Sequence, residues 1–252
     1  MSSPLEKLPI SVCVLSLNEA DNLPNCLAEI DHFAEWLIFD TGSTDDSIAI
    51  AKNLGATVEE HPWKGFTETR RIHFNRASQE WILWIDADEV ITPQFVAELR
   101  KLFSQGSDLP HQAYRLNRVM HFLGRWIRHG IWYPDRVTRL FRQDIWSMPE
   151  RAVHESLEIN GTIGDLKTEV PHYSYQSWNQ IQTRGIHYAE LWAAEMIRQG
   201  KTYSPIAPFA HGIWSFIRGA ILKGGLLDGL LGIRIAWENS KVVYKKYRLL
   251  RS

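Results

Sequence analysis

Apolar residues along this chain come in short runs, and each run ends in a polar or acidic cluster. Ile10-Ser11-Val12-Cys13-Val14-Leu15 gives way to Ser16-Leu17-Asn18-Glu19. Trp36-Leu37-Ile38-Phe39 gives way to Asp40-Thr41-Gly42-Ser43-Thr44-Asp45, and Trp81-Ile82-Leu83-Trp84-Ile85 to Asp86-Ala87-Asp88-Glu89. Near-continuous runs of this length read as strands buried on both faces, as in a parallel sheet covered by helices. Thr57–Glu60 reads as a further strand. Between the strands, Leu23, Leu27 and Ile30 mark one helix face. A second helix starts after the Asp40 cluster and stops at Gly55, and a third spans about Thr67–Ala77 with Arg70, Arg71, His73 and Arg76. Thr92-Pro93 caps a fourth, which carries Phe95, Val96, Leu99, Leu102 and Phe103. This alternation predicts an α/β fold, with a mostly parallel sheet and helices on both faces.

Open α/β sheets place ligands at the carboxyl ends of their strands. Right-handed crossovers bring Asn18/Glu19, Asp40 and Asp86/Asp88 to one edge. Alternate residues of an extended chain share a face, so Asp86 and Asp88 are expected to hold a hard divalent cation in one crevice. Capping the next helix is the alternative role, but Thr92-Pro93 already supplies that cap. Neither Gly-x-Gly-x-x-Gly nor a Walker lysine motif is present, which weakens dinucleotide and P-loop readings.

The second half reads differently. Ala113–Phe122 and Arg136–Phe141 are strands with mixed faces. Arg115, Arg118, Arg125, Arg128, Arg136, Arg139 and Arg142 accompany a single acid, Asp135, with Trp126, Trp132 and Tyr133 among them. Arginine suits bidentate contact with phosphate or carboxylate, and the aromatic rings can stack on sugars, so an anionic, sugar-bearing ligand is expected here. Outward strand faces are the bland alternative for most of these arginines. Asn160-Gly161 marks a hairpin turn, and Ser177-Trp178-Asn179-Gln180 opens a long helix to Gly200. Pro205–Pro208 reads as a linker. From Trp214 the tail holds eight Lys/Arg against two acids, a net of +6. That amphipathic, basic, Trp- and Tyr-bearing tail suits an anionic membrane surface; a helix packed on the protein with a solvated basic face is the alternative.

At 252 residues the chain can bury a substantial core. A net charge of -1 gives no general attraction to nucleic acid. Cys13 and Cys26 lie among apolar residues and fit a reduced compartment. The N-terminus shows no signal-peptide pattern, and no uninterrupted apolar segment reaches the roughly 18 residues of a bilayer span. Eleven tryptophans suit sugars and membrane interfaces as well as cores.

Leu17-Asn18-Glu19, Asp40-Thr41-Gly42-Ser43-Thr44-Asp45 and Asp86-Ala87-Asp88-Glu89, in this order, resemble the nucleotide-sugar half of family 2 glycosyltransferases with the GT-A (Rossmann-like) fold. Val153-His154-Glu155, Val170-Pro171-His172 and the Gly-Leu-Leu-Asp-Gly stretch of the tail resemble the lipopolysaccharide-core glucosyltransferase branch. The resemblance implies domains at 1–105 for the nucleotide-sugar, 106–200 for acceptor and catalysis, and 201–252 as a helical membrane-associating extension. It implies an inverting transfer of a hexose, glucose first, from a UDP-sugar to a lipid-linked anionic glycan. Leu17, Asn18 and Glu19 would lie near the nucleoside, Asp40 would accept from the uracil ring, and Arg70 or Arg71 would approach the diphosphate. Asp86 would contact ribose or metal, Asp88 and His172 the metal (Mg²⁺ or Mn²⁺), and Glu155 would be the general base; His154 competes with His172 as ligand. The second motif often carries two acids before its glycine; here Thr41 replaces the second. The implied location is peripheral, on the inner face of the cytoplasmic membrane. Two rivals are a haloacid-dehalogenase-like phosphatase, since Asp86-Ala87-Asp88-Glu89-Val90 fits its Asp-x-Asp motif, and a non-catalytic membrane-surface glycan-binding module. The phosphatase motif normally ends the first strand of its fold, whereas at least two strand units precede Asp86.

Overall fold

The computed structural model describes residues 6–106, 109–149 and 157–251. These divide into two compact units: residues 6–118, 136–149 and 157–172, and residues 119–135 and 173–251. The division differs from the boundaries expected from sequence. Chain from both halves of the sequence completes the first unit's sheet.

In that unit β1 (Leu8–Ser16), β2 (Phe33–Asp40), β3 (Thr57–Glu60) and β4 (Trp81–Asp86) alternate with α1 (Leu23–Cys26), α2 (Ser47–Asn53), α3 (Phe66–Arg76) and α4 (Pro93–Phe103). Further along come β5 (Ala113–Phe122), β6 (Arg125–Ile127), β7 (Asp135–Arg142), β8 (Trp146–Ser147), β9 (Glu158–Ile159) and β10 (Ile163–His172). The sheet order is β10-β5-β7-β4-β1-β2-β3. Strands β4, β1, β2 and β3 pair in parallel, and β7 joins β4 antiparallel. The expected parallel block is thus present, extended by strands from the second half. The turn at Asn160-Gly161 links β9 to β10, but β9 pairs with β8, so no β9–β10 hairpin forms.

The unbroken apolar runs have a simple cause. Val12, Val14, Trp81, Leu83 and Ile85 pack into one core with Leu23, Leu27, Phe95 and Leu99. Their alternates Cys13, Ile82 and Trp84 pack into a second core with Phe74 and Phe141. Two buried faces require apolar residues at both parities. At the start of α4, the Thr92 hydroxyl accepts from the Phe95 N–H, as its sequence predicts.

The second unit holds β6, the outer part of β5, and the helices α5 (Trp178–Arg198), α6 (Ala207–Ile217) and α7 (Gly229–Arg248). Met120, Phe122, Ile127, Ile181 and Ile235 form its core. A π-helix (Arg218–Leu222) and a 3₁₀ turn (Gly225–Asp228) join α6 to α7. The glycines there are structural. A Cβ on Gly225 would lie 2.6 Å from the Gly219 carbonyl, and one on Gly232 would lie 2.0 Å from the Gly225 carbonyl. No helix among the described residues is long and apolar enough to cross a membrane.

Candidate active site

Strand register brings the predicted clusters to one edge of the first unit. Ser16 pairs with Asp40 and Leu15 with Asp86. The loops after β1 and β2 are laced together. Asn18, at φ 55°, accepts from the Thr44 N–H at 2.8 Å, and its own N–H donates to the Ser43 hydroxyl at 2.8 Å. The Glu19 N–H donates to the Ser47 hydroxyl at 2.8 Å, and the Glu19 carboxylate accepts from the Asn22 amide at 2.6 Å. Leu17 is left exposed.

Asp40 was expected to accept from a nucleobase. Its carboxylate is 1% exposed and accepts from the Gly42 N–H (3.0 Å), the Ser43 N–H (2.7 Å) and the Ser43 hydroxyl (2.5 Å). An ionised carboxylate offers about four acceptor sites. Three are used by its own turn, so Asp40 shapes the loop and keeps about one acceptor site for a ligand.

Asp86 sits among arginines. Its carboxylate accepts from Arg70 Nη2 at 3.0 Å, Arg139 Nη2 at 2.5 Å and Trp84 Nε1 at 3.2 Å, with Arg118 Nη1 at 3.7 Å. Glu89, fully buried, takes Arg118 at 2.9 Å and Arg139 at 3.3 Å, and accepts from the Asp86 N–H at 3.0 Å. The Arg70 and Arg139 guanidiniums lie over the Trp84 ring at 4.2 and 3.9 Å. Burial opposes charge on Asp86, but the cations of Arg139, Arg70 and Arg118 outweigh it and hold its carboxyl well below the usual range. Asp86 therefore anchors an arginine cluster, with 27% of its side chain still exposed. Arg139 keeps two buried N–H groups, Nε and Nη1, without a hydrogen-bond partner. Three guanidiniums against two carboxylates suit an arriving diphosphate.

Asp88 is free of that cluster. Its carboxylate lies 3.4 Å from His172 Nε2, and the two side chains are 23% and 10% exposed. Glu89 and His172 form a β-bridge that sets this approach, and the Val90 N–H donates to the Pro171 carbonyl at 2.9 Å. The sequence-predicted pair Asp88 and His172 thus meets across two distant segments. One carboxylate and one imidazole fit a divalent cation such as Mn²⁺ when a nucleotide's phosphates complete the shell. No group of three or more His, Cys, Asp or Glu side chains able to hold a metal by itself occurs among the described residues.

Glu155 and His154 lie outside the described residues. Arg71 turns away from the cluster, donating to Glu68 at 2.8 Å and to the Met148 carbonyl at 2.9 Å. The second-half arginines of the first unit have different partners. Arg115 pairs with Asp165 and Arg142 with Glu80 and Asp144, while Arg118 and Arg139 join Asp86. Arg118, Arg139 and Glu89 are site residues that sequence reasoning did not assign to the acids of β4. A signal existed: Arg139 lies within the apolar run Val137–Phe141, where a buried guanidinium requires a carboxylate. In the second unit Trp132 stacks on Tyr175 in the core, whereas Trp126 stays exposed beside His121 and Tyr173.

Known proteins resemble this chain along most of its length. The lipopolysaccharide core biosynthesis glycosyltransferase LpsC of Rhizobium meliloti is 24% identical, over 97% of this chain and 95% of that protein. An uncharacterized glycosyltransferase of Rickettsia bellii is 28% identical, over 92% and 82%. Among solved structures, the mannosyltransferase PcManGT of Pyrobaculum calidifontis, in complex with GDP-Man and Mn²⁺, superposes with a TM-score of 0.52 at 14% identity. That match covers 96% of this chain and 87% of that one, and it shows a shared GT-A fold. The description of glycosyl transferase family 2 matches residues 11–157, from the first strand through the acids of β4 and on past Glu155. Because that stretch is more than half of the sequence, the chain belongs to glycosyl transferase family 2.

Proposed function

We propose that this chain is an inverting glycosyltransferase that moves a hexose, glucose first, from a UDP-sugar to a lipopolysaccharide core or similar lipid-linked anionic glycan. The observation that carries the reading is the Asp88–His172 pair beside the Arg70/Arg118/Arg139 cluster at the carboxyl edge of β4. Support for the acceptor class comes from LpsC, whose match spans nearly both chains. Support for UDP comes from the motif resemblance described above.

Transfer must expel a diphosphate and activate a weak hydroxyl nucleophile. The arginine cluster, its charge preorganised by Asp86 and Glu89, offers cations to the developing negative charge. Asp88 and His172 would hold a divalent cation, which adds positive charge at the departing diphosphate. Glu155 would accept the proton of the acceptor hydroxyl as that oxygen bonds to the anomeric carbon. The carbon–oxygen bond to the diphosphate breaks on the opposite face, so an α-linked donor gives a β-linked product. A phosphatase reading has lost its basis: Asp86 ends the fourth strand and its carboxylate is enclosed by guanidiniums.

The test is a donor screen that reads nucleotide release from UDP-glucose, UDP-galactose, UDP-N-acetylglucosamine and GDP-mannose, with Mn²⁺ or Mg²⁺, with and without a purified core acceptor. The expected result is UDP release that rises when acceptor is added. Release only from GDP-mannose would replace the donor assignment. Glycan binding without any nucleotide binding would leave a non-catalytic module instead.

A further inference from the structure

The second unit exposes apolar side chains in an unusual concentration. Ile206, Phe209, Ile213 and Trp214 on or just before α6, Ile221 and Leu222 on the π-helix, Leu226 and Leu227 on the 3₁₀ turn, and Leu230 and Trp237 on α7 are each at least 51% exposed. Ile206, Phe209 and Ile213 recur at helical spacing and so share one face. The exposure does not come from a loose loop. Asp228 accepts from the N–H groups of Arg128 (3.1 Å) and His129 (2.9 Å), and its other oxygen meets His129 Nδ1 at 2.9 Å. The glycine contacts described above close the same turn from its other side. A turn pinned by its polar groups holds Leu226 and Leu227 outward.

Along the segment that carries these side chains the exposed charge is basic. The two acids in residues 201–251, Asp228 and Glu238, are both buried. Arg218 and Lys223 are exposed and pair with no carboxylate among the described residues. The sequence pattern placed membrane contact on the basic tail after Trp214, and four of its eight cations are engaged within the unit. Lys241 pairs with Glu238, Lys245 with Glu190, and Arg234 and Lys246 lie over Trp178 and Trp192. The exposed apolar surface instead begins at Ile206 and centres on the π-helix and the turn after it.

We propose that this face, Ile206–Trp237 with Leu227 and Leu230 at its most exposed points, docks into the interfacial layer of an anionic phospholipid bilayer without spanning it. Apolar side chains enter the acyl boundary, tryptophans sit at headgroup depth, and Arg218 and Lys223 meet lipid phosphates. No exposed acid lies along residues 206–237, which complements an anionic surface. The inference uses no step of the transfer reaction, so vesicle binding and sugar transfer fail independently.

The test is flotation of the full chain, without donor sugar, on phosphatidylglycerol/phosphatidylcholine vesicles and on phosphatidylcholine alone. The wild-type chain is expected to float with the mixed vesicles and to bind them more tightly than the neutral ones. Leu227→Glu with Leu230→Glu is expected to weaken binding by about tenfold or more with an unchanged circular dichroism spectrum. Arg218→Glu with Lys223→Glu is expected to erase the preference for the anionic lipid and to keep residual binding to both. Three results would overturn the proposal: no wild-type flotation, wild-type binding in both double variants, or a wild-type dimer in sedimentation that the leucine variant splits. The last would assign the face to a second copy of this chain.

Discussion

Asp86 and Asp88 are separated by one residue, and the structure predicts that they fail in different ways. Asp86→Asn keeps shape and removes charge. It removes the Arg70 and Arg139 pairs with Asp86 and leaves Arg118 and Arg139 on Glu89. Breaking a buried ion pair from one side costs roughly 3–5 kcal/mol. Because the side chain is 27% exposed and asparagine retains one acceptor oxygen, the lower end applies, about 3 kcal/mol. At roughly 2–4 °C per kcal/mol for a chain of this size, the melting midpoint falls by about 6–12 °C. Asp88→Asn removes one contact, the 3.4 Å approach to His172, and costs under about 1 kcal/mol. Thermal melts of both variants beside the wild type, each paired with nucleotide-release kinetics, separate the roles. Asp88→Asn should melt like the wild type and lose cation-dependent turnover. An Asp86→Asn midpoint equal to that of the wild type, or equal losses in both variants, would refute the division of labour.

Glu155→Gln should keep donor binding and lose transfer; retained transfer would put the base elsewhere. His73 is buried, stacked on Phe39, with Nε2 at 2.9 Å from the Leu37 carbonyl, and burial pushes its pKa down to about 3 from 6.5. The unfolded chain therefore binds one more proton between those values. Stability is fully present above pH 6.5 and falls as pH drops, by about 1.4 kcal/mol per unit inside the window. Urea midpoints between pH 7 and pH 5 should show that slope, and His73→Gln should flatten it. Burial raises the pKa of both Cys13 and Cys26, so a thiol reagent should titrate neither in the native chain and both after denaturation; fast native labelling would contradict that packing.

The alternation of strands and helices was readable because parallel strands with two covered faces leave unbroken apolar runs. β3 and β5 fall at their expected bounds, and the strand-end clusters line up because the register follows from those runs. What the sequence hid was long-range. Nothing local shows that β7 lies next to β4, and that adjacency commits Arg139 to Asp86. A turn aspartate and a binding aspartate share the same neighbours in sequence, so the three loop donors that Asp40 engages could not be read there. The meeting of Asp88 with His172 was legible through family resemblance alone, since the two are brought together by the bridge at Glu89. Charge counts along the basic tail ignore partners, and α5 supplies several of them, so the sequence alone does not tell which cations stay free.

The central claim is that Asp88 and His172 hold a cation which helps this enzyme grip a nucleoside diphosphate. Calorimetric titration of UDP with Mn²⁺ and then with chelator, on wild type and on Asp88→Ala, addresses it directly. The account predicts that Mn²⁺ tightens UDP binding by about tenfold or more in the wild type and has no effect in the variant. Equal affinity with Mn²⁺ and with chelator in the wild type, or full cation dependence retained in Asp88→Ala, would contradict it.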